Sequence, residues 1–83
     1  MTDRLIEIFT ELSQKLEKRN KSESKFFNMY KNNLINTKED IDYIAIKNNL
    51  SGIIRYGDFD RDEYNLIMEA LETIKKYRGQ LPP

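Results

Sequence analysis

Residues 56–70 read YGDFDRDEYNLIMEA, and two incompatible structures compete for them. Asp58, Asp60 and Asp62 alternate, and Glu69 stands twelfth counting from Asp58, which is the carboxylate spacing of an EF-hand calcium loop. Such a loop needs Gly at its sixth position for the sharp turn and an apolar residue at its eighth. This chain has Glu63 and Asn65 there. Tyr64, Ile67, Met68 and Leu71 also recur at helical spacing through the second half of the same stretch. A helical backbone cannot wrap those oxygens around one ion. The helix-start reading uses more of the residues. With Asp60 as N-cap, Glu63 is the third helical residue, and the two form a reciprocal capping pair. Phe59 and Tyr64 then occupy the staple positions, and Asp62 adds favourable negative charge to the first turn. The stretch is predicted to be a turn followed by a capped helix, with no metal.

That helix is expected to span residues 61–78, with Tyr64, Ile67, Met68, Leu71 and Ile74 as its apolar stripe and Gly79 beyond its end. Lys75, Lys76 and Arg78 crowd its last turn, where the helix dipole favours cations. Residues 80–83 read as a frayed tail. On the other side of the turn, a third helix is expected over residues 38–56. Thr37 and Asp40 suit its start, and Gly57 suits a left-handed terminator. Its pattern is irregular: Ile41, Ile44 and Ala45 share one face, while Leu50 and Ile53 lie nearly opposite. Either the helix is kinked near Lys47–Asn49, or its two halves are buried differently. Further out, Phe26, Phe27, Tyr30 and Leu34 form the apolar face of a helix over 23–34. Leu5, Ile8, Phe9, Leu12 and Leu16 form that of a helix over 3–19, ended by Asn20–Ser22. No alternating strand-like run, repeat or low-complexity linker interrupts the series. Four amphipathic helices with short connections predict a small all-α protein, one domain over residues 1–83, folded as an antiparallel four-helix bundle.

Composition narrows function by exclusion. The 83 residues include no Cys, His or Trp. Disulfides and thiolate metal sites are therefore out, as are the commonest general base and the commonest zinc ligand. No Ser or Thr has a His to activate it, no glycine-rich phosphate turn is present, and no Lys sits in an apolar pattern that would depress its pKa. Carboxylate pairs such as Glu7 and Glu11 have the spacing of a solvated helix face. An enzyme is not expected, nor a cofactor. The apolar runs are too short for a signal peptide or a membrane span, so the expectation is a soluble, cytoplasmic protein.

The formal net charge is zero but unevenly spread. Residues 1–14 and 37–72 are net acidic, and 15–36 and 73–83 net basic. The basic segment from Lys15 to Lys31 leaves nucleic acid open as a ligand. Residues 37–57, TKEDIDYIAIKNNLSGIIRYG, have something of the rhythm of a helix-turn-helix. Ile46 and Lys47, however, stand where its turn requires a small residue and then an apolar one. Asp58 and Asp60 would also face phosphate. The corner between the third and fourth helices instead gathers Arg55, Tyr56, Asp58 and Phe59, the mixture of Arg and aromatics that anchors protein interfaces.

Two stretches carry a family resemblance. LIEIFTELSQKLEK, from Leu5, is similar to the first helix of bacteriocin immunity proteins of lactic-acid bacteria. IDYIAIKNNLSGIIRYGDFDRDEYNLIMEALETI, from Ile41, resembles their long third helix, glycine-containing turn and capped last helix. The chain departs from that family in its short connection between the second and third helices. Its C-terminal segment is also reduced to GQLPP, and the family's recognition elements lie toward that end. The resemblance implies a cytoplasmic, non-enzymatic four-helix protein that protects by binding a protein complex. The leading expectation is a protein-binding inhibitor or immunity factor, of bacteriocin-immunity, antitoxin or phage anti-defence type. Its partner would be a toxin, a toxin receptor complex or a host enzyme. A small DNA-binding regulator is the alternative, and a subunit that oligomerises through a spare apolar face is a third reading.

Overall fold

The computed structural model describes residues 2–36 and 43–80. It contains four helices: α1 (Thr2–Lys18), α2 (Ser24–Asn36), α3 (Tyr43–Tyr56) and α4 (Arg61–Gln80). The cap expected at Thr37 and Asp40, and Ile41 as a core residue, lie outside the described residues.

The spacing of apolar residues in α1 puts Leu5, Ile8, Phe9, Leu12 and Leu16 on one face, and all five are fully buried. The helix ends in a Schellman arrangement. The Lys21 amide donates to the Leu16 carbonyl at 2.9 Å and the Asn20 amide to the Glu17 carbonyl at 3.0 Å. Asn20 carries the left-handed residue of this motif, with φ of 59°. Asn tolerates that conformation better than most side chains, so the short break expected at Asn20–Ser22 has a backbone cause.

In α2, Phe27, Tyr30 and Leu34 are buried. Phe26 is not: it is 46% exposed, as Met29 is at 48%. Phe27, Tyr30 and Leu34 recur at i, i+3 and i+7 on the buried face of α2, and Phe26, about 100° round the helix from Phe27, falls outside that stripe. Phe9, Phe27 and Tyr30 form an aromatic knot, with Phe9 and Tyr30 centroids 5.7 Å apart and Phe27 and Tyr30 meeting edge to face at 6.1 Å. The Tyr30 hydroxyl hydrogen-bonds the Asn49 side chain, and burial raises its pKa above the ordinary phenol value.

α3 is uninterrupted through Lys47–Asn49. Its buried stripe is Ile46 and Leu50, four residues apart, extended by the half-buried Ile53 and Ile54. Ile44, expected to share an apolar face with Ile41 and Ala45, is 50% exposed. Ile46 belongs with Leu50 on a single face, and the apparent change of face came from grouping Ile44 with the core. The Ser51 hydroxyl donates to the Lys47 carbonyl at 3.0 Å, which satisfies it without breaking the helix.

α4 starts at Arg61 as expected but runs through Gly79 to Gln80, so Gly79 does not end it. Its buried face is also rotated from the expected one. Ile67 and Ile74 are buried, but the stripe is completed by Glu63 and Ala70. Tyr64 is 47% exposed, Met68 is 37% exposed, and Leu71 is half-buried.

Packing joins α1 to α2, α1 to α4, and α3 to α4. Arg4, early in α1, pairs with Glu69 of α4 at 2.5 Å, while Arg19, just beyond the end of α1, pairs with Glu63 near the start of α4. The two helices are therefore antiparallel. The helices succeed one another in space as α2, α1, α4, α3. The outer two, α2 and α3, meet through a few contacts: the Tyr30–Asn49 hydrogen bond, and Phe59 of the α3–α4 turn edge-on to Phe27 at 6.3 Å. The molecule is an all-α four-helix bundle whose least tightly closed seam runs between α2 and α3.

Candidate protein-binding groove

The α3–α4 turn is held from both sides. Asp60 and Glu63 make the reciprocal cap. The Glu63 amide donates to Asp60 Oδ1 at 2.8 Å, and the Asp60 amide donates to Glu63 Oε1 at 2.9 Å. Glu63 is fully buried and also pairs with Arg19. Asp58 accepts a hydrogen bond from Lys21 at 3.0 Å and lies 4.0 Å from Arg19. The Lys21 hydrogen bond, then the charges of Lys21 and Arg19, hold the Asp58 carboxyl below the usual carboxylate range. The α1–α2 turn is thus fastened to the α3–α4 turn by an ionic clasp. At the opposite end of the EF-hand-like spacing, Glu69 is engaged by Arg4 through two guanidinium nitrogens, at 2.5 and 2.8 Å. That pairing lowers the Glu69 pKa. Among the described residues, no group of three or more acidic side chains is placed to hold a metal ion.

Gly57 closes α3, but not as expected: no glycine among the described residues has positive φ. Its amide donates to the Ile53 carbonyl at 2.7 Å. What requires glycine is crowding. A Cβ there would sit 2.5 Å from Phe59 Cζ, closer still to Cε2, and 2.9 Å from the Ile53 carbonyl oxygen. The Phe59 ring folds back over Gly57 on its way into the core.

This geometry divides the four corner residues expected to meet a partner. Phe59 is half-buried and spent on the core, and Asp58, though exposed, is spent on the clasp. Arg55 and Tyr56 point outward, and Tyr56 is 89% exposed. Tyr56 stands beside residues that the sequence reading assigned elsewhere. Glu23, Phe26, Gly52, Ile53, Tyr56 and Gly57 line an open groove of 230 Å³ between the start of α2 and the end of α3. Gly52 has nothing within 4 Å of where a Cβ would be, so it leaves that wall low. Two signals could have found the groove: a Phe adjacent to a core Phe, and a glycine inside a helix, which costs about 1 kcal/mol relative to Ala.

Fold and groove together define a small helical bundle presenting an aromatic-walled cleft at one seam. No protein-family model, curated protein or solved structure matches the chain.

Proposed function

We propose that this protein is a small non-enzymatic inhibitor or immunity factor that neutralises another protein by binding it directly through the Phe26–Tyr56 groove. The observation that carries the reading is Tyr56 at 89% exposure beside Phe26 at 46%, both lining one concave seam. Large exposed aromatics around a cleft are what protein interfaces use as anchors, because burying them on binding releases much apolar area at little entropic cost. The charges of the corner support the reading indirectly. Asp58, Asp60 and Glu63 are spent on fixing the two turns beside the groove, which favours a preorganised surface.

The bacteriocin-immunity resemblance adds a biological setting: a cytoplasmic protector whose partner is a toxin, a toxin receptor complex or a host enzyme. DNA binding is less favoured. Arg19 and Lys21, from the middle of the basic segment, are committed to Glu63 and Asp58. No helix among the described residues is long and apolar enough to cross a membrane, so insertion forms no part of the proposal.

The test is affinity capture from the native host with nuclease treatment, run beside Tyr56→Ala and Phe26→Ala baits. A protein retained by the wild type after nuclease and lost with both variants supports the proposal. Recovery of nucleic acid alone, or a protein retained equally by all three baits, contradicts it.

A further inference from the structure

The groove has a chemistry more specific than an apolar cleft. Phe26 and Tyr56 flank it, and among the described residues neither ring packs against another ring. Ile53 adds aliphatic surface to the lining. Glu23 is in the same lining, and its carboxylate has no ion pair or hydrogen bond among the described residues. Asp58, Asp60, Glu63, Glu7 and Glu69 are each paired, and of the described carboxylates without an ion pair Glu23 is the one in the groove lining. Two aromatic rings without ring partners and a carboxylate without an ion pair thus line one groove, the combination of groups that attracts a cation.

We propose that the groove receives one arginine side chain of the partner protein. The guanidinium lies against the Phe26 and Tyr56 rings and pairs with Glu23, and the methylene stem rests on Ile53. The assignment rests on the reading of the chain as a protein-binding module. A volume of 230 Å³ is on the scale of one long side chain. An apolar side chain would bury the Glu23 carboxylate without compensation, and an acidic or phosphorylated one would be repelled by it. Arginine fits better than lysine because its planar, weakly hydrated guanidinium stacks on rings and donates to a carboxylate in parallel. Glu23 has a second use at the α2 N-terminus, where negative charge complements the dipole. Its substitution must therefore be read beside a melting curve.

The probe is N-acetyl-arginine methylamide, with the lysine and leucine analogues as comparators, titrated into the full chain and followed by amide NMR. The arginine analogue is expected to shift the Gly52 and Gly57 amides saturably and more tightly than either comparator. Glu23→Gln should weaken it by about threefold, the scale of an exposed charge pair. Tyr56→Ala should weaken it by about threefold, the scale of an exposed cation–π contact. Both variants should keep the wild-type melting temperature within a few degrees. Equal or tighter binding of the leucine or lysine analogue overturns the assignment, as does arginine binding indifferent to Glu23→Gln or an absence of shifts at the groove. A captured partner protein that depends on Tyr56 but not on Glu23 would overturn it too, while leaving the protein-binding reading in place.

Discussion

Gly57→Ala isolates the packing of the α3–α4 turn. Glycine here is not serving a left-handed backbone, so the ordinary conformational penalty for a side chain is absent. The cost comes from contacts. The new Cβ would meet the Phe59 ring at 2.5 Å or less, and the Ile53 carbonyl at 2.9 Å. The carbonyl belongs to α3 and accepts the Gly57 amide, so it cannot retreat cheaply. The ring is wedged against Phe27 and must leave the core edge to make room. Overpacking of this kind costs about 1–3 kcal/mol, and two clashes on one atom put the expectation near ~2 kcal/mol. With a urea slope of about 1 kcal/mol/M for a small domain, the midpoint followed by circular dichroism should fall by about 2 M. Phe59→Leu removes the ring atoms that clash. In that background Gly57→Ala should cost about 1 kcal/mol less, a coupling a double-mutant cycle resolves. Gly57→Asn separates the two explanations of the glycine. A left-handed site would tolerate Asn, whereas a crowded one should reject it as strongly as Ala. A Gly57→Ala midpoint within about 0.5 M of wild type, or tolerance of Asn alone, would refute the reasoning. Gly52→Ala is the internal control. With open space around it and a helical backbone, it should stabilise by about 0.5–1 kcal/mol.

Three further outcomes follow from the core and the clasp. Leu12→Ala, at a fully buried position, should cost about 3 kcal/mol, and half-buried Leu71→Ala clearly less; equal costs in chemical denaturation would contradict the burial pattern. Arg19→Met should cost about 3 kcal/mol because it strands the buried Glu63 carboxylate. Glu63→Gln, which keeps an oxygen for the Asp60 amide, should cost less, and the reverse order would contradict the clasp. The pH profile has a defined sign. Asp58 and Glu69 have depressed folded-state pKa values, so their contribution is present above the ordinary carboxylate range of about 4 and is lost as pH falls through their folded values. Replacing Lys21 and Arg4 by Met should flatten that acid limb. Tyr30 has a raised value, so its contribution is present below about pH 10 and fades above it. Tyr30→Phe should remove that alkaline loss.

Much of the fold was legible because its signals are local. The α1 stripe, the Asp60–Glu63 cap and the start of α4 depend on spacing and on hydrogen bonds within a few residues, and the structure has them where the sequence put them. The misplaced buried faces have one physical source: hydrophobicity was equated with burial. Glu63 is the most polar residue of the α4 face and yet fully buried, because the cap and Arg19 compensate its charge. The expected stripe therefore drifted to Tyr64 and Met68. Ile44 and Phe26 are apolar and exposed, which displaced the α3 and α2 faces in the same manner. The groove was half legible. Tyr56 was singled out from the corner, but Phe26 and Glu23 are some thirty residues away in sequence and reach it only through the packing of the bundle. Arg19 and Lys21 were equally out of sight as the partners that tie down Asp58.

One titration tests the groove as the binding surface most directly. The captured partner protein is purified and its affinity measured by calorimetry against wild type and against the Phe26→Ala/Tyr56→Ala double variant. Neither side chain is buried in the core, so the double variant should melt within a few degrees of wild type. Two interface aromatics at about 2 kcal/mol each correspond to a loss of affinity on the order of several hundredfold. A loss of that size at an unchanged melting temperature is the predicted result. Affinity within about threefold of wild type would contradict the account and move the interface away from the α2–α3 seam.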